Sequence, residues 1–230
     1  MTIRLYDLVG RDDRRIGSNC CKTRYALAHK GLTCETIPTR FTDISSIGDG
    51  SFPTIPVIED GDTRLGDSWE IAAYLEETYP DAPSLFGGPA GIEYARFIAR
   101  WCETQTHSLV MSMIVHDIYV CLDPADQPYF WESRAKRLGR PIDEVPAGRE
   151  ERLPELRTRL EPLRRVVADQ SFLGGTSPVY ADYIAMGQFI WARRTSPFAL
   201  VEAGDPVHAW MYRCLDLYGG LLRQDTDYNW

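Results

Sequence analysis

Apolar residues recur along this chain with two different spacings, and the change between them organises the molecule. Ile3 and Leu5, with Leu8 beyond them, alternate with polar neighbours in Thr2-Ile3-Arg4-Leu5-Tyr6-Asp7-Leu8. That period of two predicts a short strand. Residues 10–19 are polar and predict a loop. From Cys20 to Lys30 the period lengthens: Cys21, Tyr25 and Ala28 share one helical face, and Gly31 stands where a C-terminal cap belongs. Cys34-Glu35-Thr36-Ile37-Pro38 reads as a second strand, followed by a Gly/Ser-rich loop from Ser45 to Ser51. Pro56-Val57-Ile58-Glu59 and Thr63-Arg64-Leu65 flank Asp60-Gly61-Asp62, and Asp-Gly between apolar runs signals a hairpin. Asp67-Ser68 then precedes Trp69 to Tyr79, where Ile71, Ala72, Leu75 and Tyr79 keep helical spacing. The predicted order is βαβ, a ββ hairpin, then α.

Residues 80–91 hold Pro80, Pro83, Gly87, Gly88, Pro89 and Gly91, the densest cluster of breakers in the chain. Beyond them strand signals vanish, and helical patterns run over roughly 92–121, 127–139, 148–169, 179–194 and 206–222. The expectation is an α/β domain over residues 1–80, a linker over 81–91 and an all-helical domain over 92–230.

Composition narrows the function classes. Of 230 residues 44% are hydrophobic and 25% charged, which excludes a disordered or collagen-like chain. The six cysteines form no CxxC pair, and the four histidines, His29, His107, His116 and His208, form no HxH or HxxxH pair. Neither a disulfide framework nor a metal site is expected. A formal charge of −8 argues against a nucleic-acid partner. No apolar leader and no 18-residue apolar run is visible, so the reading is a soluble, cytoplasmic protein with no membrane partner. GxGxxG, GxxxxGK[ST] and GxSxG are all absent, so nucleotide binding and α/β-hydrolase chemistry are not indicated.

Three short segments can carry chemistry. In Thr54-Ile55-Pro56-Val57 a cis Ile55–Pro56 bond would turn the Ile55 backbone outward to pair an extended peptide. Local sequence favours trans, because cis is only about 5–6% of X–Pro bonds. Asp67-Ser68 opens a helix whose free N–H groups suit an anion, although simple capping is the commoner role. Gly17-Ser18-Asn19-Cys20-Cys21 also meets a helix N-terminus, where a hydroxyl or thiol can stabilise or become an anion, or merely cap.

The order of these elements resembles a glutathione transferase with a thioredoxin-like first domain and a helical-bundle second domain, and the resemblance covers essentially the whole chain. It is nearest to the bacterial β-aryl etherase and fungal etherase-like branch. The residues that carry this are Thr23-Arg24-Tyr25-Ala26-Leu27 with His29-Lys30-Gly31, Ile55-Pro56-Val57-Ile58, Asp67-Ser68-Trp69 and Tyr79-Pro80-Asp81. In the second half they are Ala147-Gly148-Arg149-Glu150, Leu160-Glu161-Pro162, Phe172-Leu173-Gly174-Gly175 and Ala181-Asp182-Tyr183.

The resemblance implies glutathione as co-substrate. Thr54, Ile55 and a cis Pro56 would hold its cysteinyl backbone, Asp67 and Ser68 its γ-glutamyl end, and Arg40 its glycyl carboxylate. Ser18 and Asn19 would favour the thiolate. A small hydrophobic aromatic electrophile would enter between the domains, with linings around Trp101 to Val115, Tyr129-Phe130-Trp131 and Phe189-Ile190-Trp191, and the chain would form a homodimer. Two positions depart from the family. Anchored on Thr23-Arg24-Tyr25, the usual serine position is Gly17 and the usual proline is Ser18. Either Ser18 supplies the donor, or Asn19 acts alone, or turnover is impaired. Val179 stands three residues before Asp182, so half of the usual capping box is missing, a loss of about 1 kcal/mol. The alternatives are a non-catalytic binder of glutathione or aromatic ligands, and a thiol reductase using Cys20.

Overall fold

The computed structural model describes residues 2–230. Four strands form one mixed sheet in the order β2-β1-β3-β4: β1 (Ile3–Leu8), β2 (Cys34–Thr39), β3 (Val57–Asp60) and β4 (Thr63–Gly66). β1 pairs β2 in parallel and β3 antiparallel, so it is central. Its alternation sends Ile3 and Leu5 into the core and places Asp7 there too, 1% exposed. Burial would expel that carboxylate if it were alone. Arg15 at 3.2 Å and Arg24 at 3.8 Å accompany it. Helix α1 (Ser18–His29) makes the β1–β2 crossover, and α2 (Ser68–Thr78) follows the hairpin. The α/β unit expected from the pattern, thioredoxin-like as the resemblance implies, is therefore present, and the helical half follows it.

That half begins with one long rod, α3 (Pro89–Trp101) and α4 (Ser108–Cys121), joined by a π-helical stretch over Cys102–His107. The wider turn there re-aims the side chains that follow it. α5 (Gln127–Leu138) ends on Gly139 in the left-handed region, φ 73°. The single helix expected over 148–169 is two, α6 (Arg149–Arg159) and α7 (Glu161–Asp169). Pro162 has no N–H to continue the ladder across the break. The last pattern also ends early. α9 (Pro206–Leu215) stops before Tyr218, Gly219 and Gly220, all at positive φ, which reverse the chain.

α8 (Tyr180–Thr195) is buried along its whole length. Its last-turn charges are neutralised in place: Arg193 pairs with Asp227 at 2.9 Å, and Arg194 pairs with Asp225 and donates to the Arg15 carbonyl. At its start the valine supplies no cap, yet the other half of the box is reinforced. The Asp182 carboxylate accepts from Val179 N–H at 3.0 Å, Leu173 N–H at 2.8 Å and Trp210 Nε1 at 2.9 Å. One carboxylate thus ties three segments, and the expected deficit is not a simple lost cap.

Two contacts fix the halves at the cleft between them. Gly187 of α8 lies against the first turn of α1, where a Cβ would come within 3.0 Å of the Ser18 carbonyl and 2.9 Å of Lys22. The buried Asp126, just before α5, accepts from the Phe41 N–H at 3.0 Å, the Thr42 N–H at 2.9 Å and the Thr42 hydroxyl at 2.8 Å. The loop after β2 is thereby clasped to α5.

Candidate functional site

The cleft has two lobes that meet at the N-terminus of α1. The first, about 410 Å³, is lined by Ser18, Asn19 and Lys22 of α1, Asp67, Ser68 and Trp69 of α2, and faces of the long rod and α8. The second, about 380 Å³, runs from Thr54 and Ile55 to an aromatic wall of Phe41, Tyr129, Phe130 and Trp191. Ser18, Asn19, His107 and Arg137 line both.

α1 opens without a side-chain cap, because Gly17 is its N-cap. Its first-turn N–H groups therefore face the cleft at the positive end of the helix dipole. The Ser18 hydroxyl has no partner among the described residues. Asn19 does: Lys22 Nζ donates to its Oδ1 at 2.8 Å. With the lysine as donor, the bond points Asn19 Oδ1 at Lys22. The NH₂ of Asn19 is left as the donor available to the cleft. Burial pulls the Lys22 pKa below the ordinary lysine value.

Gly17 is buried, and a Cβ there would meet Cys20 Sγ at 2.7 Å and Cys20 Cβ at 2.9 Å. Glycine at 17 and cysteine at 20 are a matched pair that leaves no room for a serine. Cys20 itself is 1% exposed. Burial, with the Asp7 carboxylate adding to it, raises its thiol pKa well above the usual value.

α2 is built differently. Asp67 is its N-cap, accepting from Trp69 N–H at 2.8 Å and Glu70 N–H at 3.3 Å. It sits at φ 70°, where non-glycine residues are uncommon. The Ser68 carbonyl accepts from the Tyr180 hydroxyl of α8 at 2.6 Å, and Ser68 lines the first lobe, its hydroxyl without a partner among the described residues.

The Ile55–Pro56 bond is cis, against the local expectation and in line with the resemblance. β3 begins only at Val57, and the Ile55 N–H and C=O have no hydrogen-bond partner among the described residues. Pro56 is buried and does not line the cleft. Arg40 is not brought to either lobe. Its guanidinium is held by Asp43 through Nε at 2.9 Å and Nη2 at 3.1 Å. Of the aromatic residues singled out by pattern, Tyr129, Phe130 and Trp191 line the second lobe. Phe189 packs on Trp210, and Trp131 on Tyr119, away from it.

The span Trp101 to Val115 brings His107 to both lobes, while sequence reasoning missed Lys22, Arg134, Arg137 and Gln188. Lys22 had a signal, three residues after Asn19 on one helix face. The others come from distant helices and had none. Gln188 is 6% exposed, and neither amide atom has a partner. A buried unpaired amide in a cleft wall points to a ligand that pairs it.

The comparisons agree with this geometry. The profile described as "Glutathione S-transferase, N-terminal domain" matches residues 13–83, and that described as "Glutathione S-transferase, C-terminal domain" matches residues 94–215, more than half of the chain. The structure of glutathione transferase GSTFuA3 from Phanerochaete chrysosporium is 27% identical with a TM-score of 0.77, covering 100% of this chain and 98% of its own. A glutathione S-transferase of Ceriporiopsis subvermispora, solved in complex with glutathione, shares the fold at 23% identity and TM-score 0.77, covering 96% of this chain and 94% of its own. Glutathione S-transferase Z1 of Arabidopsis thaliana is 38% identical over 79 residues, 30% of this chain. That match spans only 34% of the Arabidopsis protein's own length.

Proposed function

This chain belongs to the glutathione S-transferase family, whose co-substrate is glutathione, and we propose that it activates the glutathione thiol for attack on a small hydrophobic aromatic electrophile. The finer form of the proposal is glutathione-dependent cleavage of β-aryl ethers. The observation that carries it is the meeting of both lobes at the uncapped start of α1, where Ser18 and Asn19 line each of them.

The chain's own groups divide the work. Ser68 and the α2 N-terminus receive the γ-glutamyl end, and Asp67 holds that turn in shape. Thr54 and the unpaired Ile55 backbone receive the cysteinyl unit, with Pro56 setting the backbone behind them. A thiol of ordinary pKa, about 8.5, is mostly protonated at neutral pH. Hydrogen bonds to the anion and the helix dipole lower that value. Ser18 Oγ and Asn19 Nδ2 are the donors, and Lys22 holds the Asn19 amide in the donating orientation. The thiolate sulfur then bonds to the electrophilic carbon. In an aryl ether the carbon–oxygen bond breaks, and the aryloxide leaves with the bonding pair and takes a proton from water. Arg40 lines neither lobe, so it serves the glycyl carboxylate only by swinging toward the cleft. A homodimer and a cytoplasmic setting complete the proposal. All six cysteines are free, which suits a reducing compartment.

The test is isothermal titration with glutathione, followed by detection of a thioether product with aromatic electrophiles, including a β-aryl ether. No glutathione binding would overturn the reading. Binding with no product from any electrophile would move it to a non-catalytic binder. The Cys20 reductase is disfavoured by a buried thiol of raised pKa, since redox cysteines are accessible and of low pKa.

A further inference from the structure

The aromatic end of the cleft carries charge that the conjugation chemistry does not use. Arg134 and Arg137 stand one turn apart on α5 and line both the second lobe and an adjoining pocket of about 210 Å³, with His107 and Met111. Neither pairs with a carboxylate among the described residues. Arg15, Arg24, Arg149, Arg164, Arg193 and Arg194 all do. Arg134 Nε is buried without a partner, and its Nη1 donates to the Ser133 hydroxyl at 3.0 Å. Its guanidinium carbon lies 4.7 Å from the Phe130 ring centre and 5.5 Å from that of Phe41. Stacking of this kind leaves the in-plane N–H fork for a planar oxyanion. Asp126 fixes that wall by clasping the Phe41 backbone to the start of α5. The acids of the cleft line only the first lobe, which Arg137 borders as well. Asp67 and Glu103 line the first lobe, where one caps α2 and the other pairs with Arg100 at 2.6 Å. No Asp or Glu lines the second lobe or the adjoining pocket. In a chain of net charge −8, two guanidiniums without a carboxylate partner at one end of the cleft are a local inversion of the surface.

We propose that Arg134 and Arg137 form a carboxylate-recognition site at the aromatic end of the cleft. The inference rests on the glutathione-conjugating reading for where the carboxylate comes from, and two sources share the chemistry. One is the glycyl carboxylate of glutathione, since Arg40 lines neither lobe. The other is an acid group on the aromatic electrophile.

The experiment compares wild type with the Arg134→Gln/Arg137→Gln double variant on two matched pairs. The first pair is glutathione and its glycyl ethyl ester, with one neutral electrophile. The second is a chloronitrobenzoate and the matching chloronitrobenzamide, with chlorine ortho to the nitro group. In these the thiolate carbon–sulfur bond forms as the carbon–chlorine bond breaks and chloride leaves with the pair. Each kcat/KM is divided by the uncatalysed rate, since amide and carboxylate activate the ring differently. Wild type is expected to favour the carboxylate member of one pair by about tenfold more than the variant does, the effect of one hydrogen-bonded charge pair. The pair that changes names the source. If the variant shows wild-type ratios for both pairs, the proposal is overturned. If wild type turns over neither electrophile, the conjugating reading fails by itself. The same four compounds titrated calorimetrically then decide the site by the same ratios. Arg137→Gln alone, at an exposed position, keeps the test intact if loss of Arg134 unfolds the wall, and the exposed neighbour Lys136→Gln is the control that should change neither ratio.

Discussion

Two helices point their N-termini at the same cleft, and they are finished differently. α2 is capped by its own Asp67, which consumes the Trp69 and Glu70 N–H groups. α1 starts on glycine and keeps its first turn open. A capped turn with one free hydroxyl holds a ligand end in a fixed place. An uncapped turn keeps its donors and its dipole for a charge that develops during reaction. Under the proposed function, that difference gives binding to α2 and chemistry to α1, and substitutions on either helix strain one side of it.

The largest effect should come from the open turn. Ser18→Ala/Asn19→Ala removes both side-chain donors that the proposed mechanism gives to the thiolate. Hydrogen bonds to charged groups contribute about 1.5–3 kcal/mol each, so kcat/KM should fall by a hundredfold or more. Glutathione affinity should stay within a few-fold, because the α2 end is untouched. Steady-state kinetics with calorimetry reads both, and unchanged kcat/KM would remove α1 from the chemistry.

Next is Gly17→Ser, which closes that turn. The new side chain meets Cys20 at 2.7 Å, so the core beneath α1 must shift. Overpacking of this kind costs about 1–3 kcal/mol, seen as a lowered midpoint in denaturant unfolding. Cys20→Ala in the same chain should recover part of it by removing the sulfur. A Gly17→Ser protein as stable as wild type would show that the glycine–cysteine pairing is not the reason serine is missing.

The same comparison shows what the sequence could and could not reveal. Strands, hairpin and helices were legible because each has one apolar face and a single period. The break between α6 and α7 was also written, in Pro162, but the flanking periodicity masked it. Ser18, Asn19, Asp67 and Ser68 were legible as helix starts, since capping chemistry is local. Arg134, Arg137 and Gln188 were not, and His107 was only one position in the expected lining from Trp101 to Val115. They lie on α5, α8 and the π-helical turn, and only packing across the cleft brings them near residue 19. Arg40 had a sensible position after β2, yet Asp43, one turn on, engages it locally.

On the capped side, Asp67→Ala should cost about 1 kcal/mol of stability, the usual worth of an N-cap. Asp67→Asn should restore most of that, since asparagine caps about as well. If Asn also restores glutathione affinity, Asp67 acts by shaping the turn; if only stability returns, its charge contacts the ligand. Thermal unfolding and calorimetry on the three proteins separate the two.

The smallest effect, and the one that probes α1 most finely, is at Lys22. Its charge lies in the first lobe and its hydrogen bond orients Asn19. With its pKa held below the lysine norm by burial, the ammonium is lost at lower pH than that of an exposed lysine as pH rises. While it is charged, it favours the thiolate, so the acid limb of the kcat/KM profile lies below the free thiol pKa. Lys22→Met should move that limb to higher pH by a few tenths to about one pH unit, equivalent to about 1.4 kcal/mol at most. It should also abolish any alkaline fall caused by loss of the ammonium. Lys22→Arg keeps the charge beyond the accessible range, so it should restore the acid limb and carry the alkaline fall out of reach. Should Lys22→Met leave both limbs where they are, the orientation of Asn19 owes nothing to the lysine, and the open turn of α1 acts through its backbone and Ser18.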